Sequence, residues 1–148
     1  MITVTIAVKP HLAAYVYVRF AHCVHSDAIR LSSSTTLYHC LAQLTVKRPK
    51  GISWNDTGNL TFALPHPRIG KDPQVYNYLG ADSVRIIEQE IDTLLKMDLY
   101  SRLLRDKYQH GKSYTKSLIA FMEEYRIDDA NEHALMKAFQ RWRKASRM

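Results

Sequence analysis

Residues 113–143, SYTKSLIAFMEEYRIDDANEHALMKAFQRWR, predict two consecutive amphipathic helices. Ser113 is suited to accept a backbone hydrogen bond at the start of the first helix. Asp128 or Asp129 is suited to the start of the second, where Glu132 follows Asp129 at the spacing of a capping box. The apolar residues recur at helical spacing. They are Leu118, Ile119, Phe121, Met122 and Tyr125 in the first helix and Leu135, Ala138, Phe139 and Trp142 in the second.

The second helix, residues 129–146, carries its polar and basic side chains opposite its apolar face. This pattern is typical of a helix that lies between a protein core and a polyanion. A stable surface helix with a solvated charged face, matched to the helix dipole, gives the same pattern. The side chains on the polar face are His133, Lys137, Gln140, Arg141, Lys144 and Arg147.

The break between the two helices is short, about residues 126–128. If the helices cross steeply they form a helix-turn-helix, and the second helix would enter a DNA major groove. The same pattern also describes a small helical hairpin, and the basic residues favour DNA. If the second helix binds DNA in this way, Lys112 and Lys116 would meet phosphate beside Tyr114 at the start of the first helix, and Arg143 and Arg147 would meet the DNA backbone. We expect these side chains in the core: Leu118, Phe121, Met122, Leu135, Phe139 and Trp142.

Upstream, Asp82 is predicted to cap a long helical pattern that ends at Gly111, with a break near Met97 and Asp98 as an alternative. Before it lies a segment rich in proline and glycine, residues 66–81, whose tyrosines suggest an ordered connector. The chain is therefore divided into a mixed N-terminal part (1–65), this connector (66–81) and a helical, DNA-binding part (82–148).

The N-terminal part alternates strand and helix patterns. Strands are predicted at residues 2–8, 28–31 and 59–64, and a helix follows the serine and threonine cluster at 32–36. Pro10 suits the first turn of another helix, but YVYVRF at Tyr15–Phe20 fits a strand equally well. Lys47–Gly51 is a basic loop, either in contact with phosphate or merely solvated. The expected fold class is α+β.

Composition restricts the class of protein further. The 148 residues carry a net charge of +7, with 46% hydrophobic and 24% charged residues, which is ordinary globular composition. The excess of positive charge favours polyanionic partners. No apolar run reaches the ~20 residues of a membrane span and no signal peptide pattern is present, so we expect a cytoplasmic protein without a membrane partner. We expect Cys23 and Cys40 to be unpaired thiols.

No catalytic motif is recognisable: the chain has no nucleophile elbow, P-loop, dinucleotide fingerprint or HExxH. His66 lies close in sequence to Arg68, Lys71 and Asp72, which could form an acid–base pocket, but no catalytic motif supports one. One cluster holds metal-type ligands, but its spacings match no standard zinc site. We therefore predict no catalytic residues, no metal and no cofactor. The cluster comprises His22, Cys23, His25, His39 and Cys40.

The C-terminal helices resemble the helix-turn-helix ends of phage and mobile-element DNA-binding proteins. With the strand NLTFAL and its proline ahead of them, their order is similar to that of the Mor-type transcription activators of phages. The resemblance covers about half of the chain. It implies a homodimer whose N-terminal regions pair and whose C-terminal helices bind double-stranded DNA. Lys137, Gln140, Arg141 and Lys144 would then face the groove or its phosphates.

Two other functions remain open beside a non-catalytic DNA-binding regulator. The basic helix could dock an acidic protein within a mobile-element assembly, with little binding to duplex DNA. The chain could instead bind RNA, if YVYVRF presents Tyr15 and Tyr17 beside Arg19 on a sheet. Exposure of these tyrosines would favour RNA, and their burial would oppose it.

Overall fold

The fold is α+β, as predicted, with a mixed sheet region followed by a helical part. The computed structural model describes residues 2–65 and 71–147. Short 3₁₀ turns at Ala21–Cys23 and Asp129–Asn131 connect some of the elements. In the N-terminal part the elements are β1 (Thr3–Ile6), α1 (Pro10–Arg19), β2 (Val24–His25), β3 (Ala28–Ile29), α2 (Thr36–Leu44), β4 (Val46–Lys47) and β5 (Leu60–Ala63). From the connector onwards they are β6 (Tyr76–Tyr78), α3 (Ala81–His110), α4 (Tyr114–Glu124) and α5 (Glu132–Ser146).

The larger sheet has the strand order β1-β5-β3-β2. β1 pairs with β5 in antiparallel register, with Val4 opposite Phe62, and both side chains are buried. On the other face of this pair the hydroxyls of Thr5 and Thr61 lie 2.8 Å apart. The alternation of apolar and polar residues in the sequence therefore gives one buried face and one partly polar face.

Helix α1 resolves the two interpretations of YVYVRF in favour of a helix. Pro10 occupies the first helical turn, where its missing N–H is not needed. Leu12, Tyr15 and Val16 are buried at i, i+3 and i+4, and the helix packs against α3. Burial on one helical face has overridden the strand preference of the aromatic and β-branched residues.

A second, two-stranded sheet pairs β4 with β6, so part of the connector is a strand. The sequence indicated order there but not this pairing. Lys71 stabilises the junction, because its Nζ donates to the carbonyls of Gln43 and Thr45 at the end of α2. Residues 66–70 lie outside the described residues, and so does the predicted pocket of His66 and Arg68.

Helix α3 is a single helix of 30 residues, about 45 Å long at 1.5 Å per residue. The alternative break near Met97 and Asp98 is wrong, because buried Ile and Leu residues continue one unbroken stripe through that point. Gly80 is the N-cap and Asp82 lies in the first turn, so Asp82 is not the cap. Gly111 ends the helix in the left-handed conformation, φ +64°, as the sequence predicts.

Ser113 caps α4 as predicted, since its Oγ accepts the Lys116 N–H at 3.2 Å. The turn after α4 contains no glycine, and Arg126 takes the left-handed conformation at φ +57°. The N–H of Ile127 reaches back to the Met122 carbonyl at 2.8 Å, which closes a Schellman motif over two buried apolar side chains. A tight turn is thus formed without glycine.

The start of α5 differs from the prediction. The carboxylate of Asp128 accepts the Ala130 N–H at 2.8 Å and opens the 3₁₀ turn. The α-helix then begins at Glu132, so Asp129 and Glu132 do not form the predicted capping box.

One hydrophobic core runs through both parts of the chain. It contains Val4 and Phe62 of the sheet together with Leu95 of α3, Phe121 of α4 and Phe139 of α5. No helix among the described residues is long and apolar enough to cross a membrane.

Candidate nucleic-acid interface

Helix α5 exposes every side chain predicted for its basic face. On the opposite face Leu135 and Phe139 are buried, as expected for core residues. The two faces are therefore separated as the sequence pattern requires. The exposed residues are His133, Lys137, Gln140, Arg141, Lys144 and Arg147.

The charge of this face is not neutralised locally. Among residues 2–65 and 71–147, the ion pairs join side chains of α1, α3 and α4, and none involves α5. Neighbouring ammonium and guanidinium groups on one helix face repel each other, and only mobile counterions screen them. A polyanion placed on this face would release those counterions.

An aromatic cluster holds α5 against the rest of the molecule. The ring of Phe139 lies 5.4 Å from Tyr100 on α3 and 4.9 Å from Tyr114 on α4. Trp142 stacks on Tyr100 at 4.9 Å but stays 40% exposed. The prediction that Trp142 is a core residue is therefore wrong, because Tyr100 and its neighbours cover only part of the indole. The other predicted core residues of α4 and α5 are buried.

Tyr114 brings the ends of three helices together. It is the first residue of α4, and it receives the guanidinium of Arg143 at 4.9 Å and the ammonium of Lys107 at 5.0 Å over its ring. Burial raises the pKa of its hydroxyl, so the ring stays neutral under these cations. Arg143 was expected to meet the DNA backbone, but its guanidinium lies over the Tyr114 ring instead. The sequence did not predict the contact of Lys107 with Tyr114, because only the turn at Gly111 brings the end of α3 next to the start of α4.

The start of α4 lies at the same end of the molecule as the second half of α5, because Tyr114 contacts Phe139 and Arg143. Lys116 is exposed there and Lys112 is half-buried. The Lys116 N–H is already bonded to the Ser113 hydroxyl, so only its side chain is free for phosphate.

Asp106 of α3 lies next to the first turn of α4, where its Oδ2 accepts a hydrogen bond from the buried Ser117 hydroxyl at 2.7 Å. That hydrogen bond lowers the pKa of the Asp106 carboxyl, and the charges of Lys112 and Arg105 add to the effect. The positive charge of Lys112 is therefore partly offset.

The basic face forms a stripe, not a single pocket. At 1.5 Å per residue, His133 and Arg147 lie about 21 Å apart along α5. Lys112 and Lys116 add charge near the Arg147 end only. Such a stripe suits an extended ligand better than a small molecule.

The segment proposed for RNA does not present its aromatic residues. Tyr15 is fully buried on α1, and its hydroxyl donates to the carboxylate of Asp98. The hydroxyl of Tyr17 donates to the Asp27 carbonyl at 2.9 Å and accepts the Thr61 N–H at 3.1 Å. Arg19 pairs with Asp98 at 3.2 Å. The interpretation of YVYVRF as an aromatic-bearing strand is wrong.

The histidines and cysteines of the N-terminal part are spread over several elements. His22 and Cys23 lie in the 3₁₀ turn after α1, His25 on β2, and His39 and Cys40 on α2. No disulfide joins the two cysteines. Within the described ranges, no three His, Cys, Asp or Glu side chains gather where they could hold a metal ion.

No protein-family model, characterised protein or solved structure matches this chain. The resemblance to Mor-type activators therefore stays a prediction.

Proposed function

We propose that this protein binds double-stranded DNA without catalysing a reaction, and that it is a transcriptional regulator of a phage or mobile element. The observation that carries the proposal is the exposed basic face of α5, which has no acidic partner in the described chain and is backed by a rigid aromatic cluster. A charged helix held this firmly is suited to present a fixed pattern to a groove.

The side chains on the basic face of α5 have different roles in the proposed binding. Lys137, Arg141 and Lys144 follow each other at i, i+4 and i+7, so their charges form one line along the helix. Lysine and arginine give most of the salt-dependent affinity through phosphates, and arginine can also bind the edge of guanine. Gln140 beside them is suited to the edge of adenine. Arg143 supports α5 through Tyr114.

A homodimer fits this proposal. One face of this length contacts few phosphates, and two copies related by a two-fold axis would double the contacts on a palindromic site. The N-terminal part, away from the basic stripe, is the region we propose for pairing the two copies.

The test is fluorescence anisotropy with a mixed-sequence DNA duplex at several salt concentrations. Replacing Lys137, Arg141 and Lys144 together by alanine is expected to weaken binding about 10- to 100-fold and to reduce the slope of log affinity against log salt by about 2.7. Circular dichroism checks that the variant is folded, as expected for three exposed side chains.

A matched control removes three positive charges elsewhere, at Lys9, Arg30 and Arg85. It has the same net charge as the α5 variant but keeps the basic face. We expect the control to bind nearly as well as the natural protein. Equal losses in both variants would mean that net charge, and not α5, attracts DNA. An absence of duplex binding even at low salt would overturn the proposal and leave the face for an acidic protein partner.

A further inference from the structure

The loop after β4 exposes an indole within a basic segment. Trp54 is 54% exposed and Ile52 is 44% exposed. Lys47, Arg48 and Lys50 precede them within a few residues. Large aromatic side chains are usually well covered in a folded protein, so an open tryptophan and an open isoleucine among positive charges form a candidate interaction surface.

The loop is held in place on both sides of the tryptophan. Pro49–Ile52 forms a turn in which the Ile52 N–H bonds to the Pro49 carbonyl at 3.2 Å, and Gly51 takes the φ of +79° that a type II turn requires. Beyond Trp54, the carbonyl of Asn55 accepts the Thr5 N–H of β1 at 2.8 Å. The indole thus projects from a fixed backbone.

The side chain of Asn55 strengthens the anchor. Its Nδ2 donates to the Leu79 carbonyl at 3.0 Å, and its Oδ1 accepts the Leu79 N–H at 2.8 Å. A double hydrogen bond between an amide side chain and one backbone residue fixes both position and orientation. The loop therefore has little freedom to fold over and cover Trp54.

Arg48 covers one side of the indole. Its guanidinium carbon lies 4.3 Å from the ring centroid of Trp54, and its Nη1 donates to the Ile52 carbonyl. The Nε is buried and has no hydrogen-bond acceptor among the described residues, so the Nη1 bond to Ile52 and the stacking on the ring hold the guanidinium in place. The pair is a preformed flat surface with a positive charge behind it.

Further positive charge lies on the neighbouring strand pair. The ammonium of Lys47 on β4 lies 5.7 Å from the ring centroid of Tyr76 on β6. Within residues 2–65 and 71–147, neither Lys47, Arg48 nor Lys50 takes part in an ion pair. The segment therefore offers free charge next to an open aromatic ring.

We propose that Trp54 and Arg48 form a platform on which an unpaired base of a single-stranded nucleic acid stacks, while Lys47 and Lys50 contact the phosphates beside it. Every base has a π-face, so such a platform holds strands of any sequence. The bases of a duplex are stacked on each other and cannot reach the indole. This surface is separate from α5, and the proposal does not depend on duplex binding.

The experiment uses fluorescein-labelled dT10 and rU10 in anisotropy titrations near physiological salt. Trp54→Ala is expected to weaken binding about 5- to 100-fold, the range that loss of one stacked base gives. Trp54→Phe should keep most of the affinity because it keeps a ring. Ile52→Ala, at a neighbouring exposed apolar residue, is the matched control and should bind like the natural protein. Tighter binding of dT10 or of rU10 identifies the strand as DNA or RNA.

A second measurement reports on the indole itself. In a Trp142→Phe background Trp54 is the remaining tryptophan, and its fluorescence is expected to be quenched as unlabelled dT10 or rU10 binds. Unchanged fluorescence on saturation, or equal affinity of Trp54→Ala and the natural protein, would overturn the platform. Duplex binding measured on Trp54→Ala separates the two surfaces, since it should be unaffected.

Discussion

The two basic surfaces of this protein differ in where they keep their aromatic residues. On α5 the ring of Phe139 is buried, while Trp142 stacks on Tyr100 and stays 40% exposed beside the charged and polar side chains. In the loop after β4, Trp54 points outwards beside Arg48. The same kind of charge is thus combined with a buried ring in one place and an open ring in the other. A polyanion is attracted by both, and we propose stacking of a free base for the second surface, where a guanidinium and not another aromatic ring lies on the indole.

The largest expected effect comes from removing the ring that supports α5. Phe139 is fully buried between Tyr100 and Tyr114, so Phe139→Ala should lower the free energy of unfolding by about 3–5 kcal/mol. Urea denaturation followed by circular dichroism measures it. Trp142→Ala is the control, and its loss should be smaller because the indole is partly exposed. Equal losses for the two variants would show that α5 is not held by its buried ring.

The next effect concerns the anchor of the loop. Asn55→Ala removes both side-chain hydrogen bonds to Leu79 and should lower the free energy of unfolding by about 1–3 kcal/mol. Trp54 remains, but its backbone is no longer fixed, so binding of dT10 or rU10 should weaken as well. Asn59→Ala is a comparison, since Asn59 makes a similar double hydrogen bond to Val8 away from Trp54. If oligonucleotide binding fell as far in Asn59→Ala, the anchor would have no specific role.

Local patterns in the sequence were sufficient for α2, α4 and the basic face of α5, because a helix brings residues at i, i+4 and i+7 together whatever the rest of the chain does. They left α1 open between helix and strand, and α3 open to a break. They were not sufficient for contacts between distant segments. The pairing of β4 with β6, the approach of Lys107 to Tyr114 and the exposure of Trp54 depend on tertiary structure. Trp142 shows the same limit, since periodicity gives the direction of a side chain but not what covers it.

Charge reversal at single positions should separate the two surfaces. Arg141→Glu is expected to weaken duplex binding about tenfold, equivalent to about 1.4 kcal/mol, and to change binding of dT10 or rU10 much less. Lys50→Glu should do the opposite. Both side chains are exposed, so neither change is expected to unfold the protein. Anisotropy with both ligands on both variants gives the four values needed. If each reversal weakened both ligands equally, the two surfaces would act as one.

The smallest expected effect is a difference in how pH changes the stability of the contacts that hold the two surfaces in place. The Ser117 hydrogen bond lowers the pKa of Asp106 at the junction of α3 and α4, so the ionised carboxylate is favoured in the folded state. The resulting stability is present above the ordinary pKa near 3.8 and is lost as the pH falls through the lowered value. The loop after β4 is held by the amide of Asn55, which does not titrate. Acid should therefore weaken the packing of α4 on α3, against which α5 lies, and spare that anchor.

Ser117→Ala tests this difference, because it removes the donor to Asp106 while the rest of α4 stays in place. We expect it to lower the free energy of unfolding by about 1 kcal/mol at neutral pH and to flatten the decline in stability between pH 5 and acid conditions. Urea titrations at a series of pH values measure both. Ser113→Ala is the matched control, since it removes a helix cap without touching a carboxylate, and should shift the curve down without changing its slope. An unchanged slope in Ser117→Ala would mean that Asp106 does not link the hairpin to pH, and that both surfaces have supports insensitive to acid.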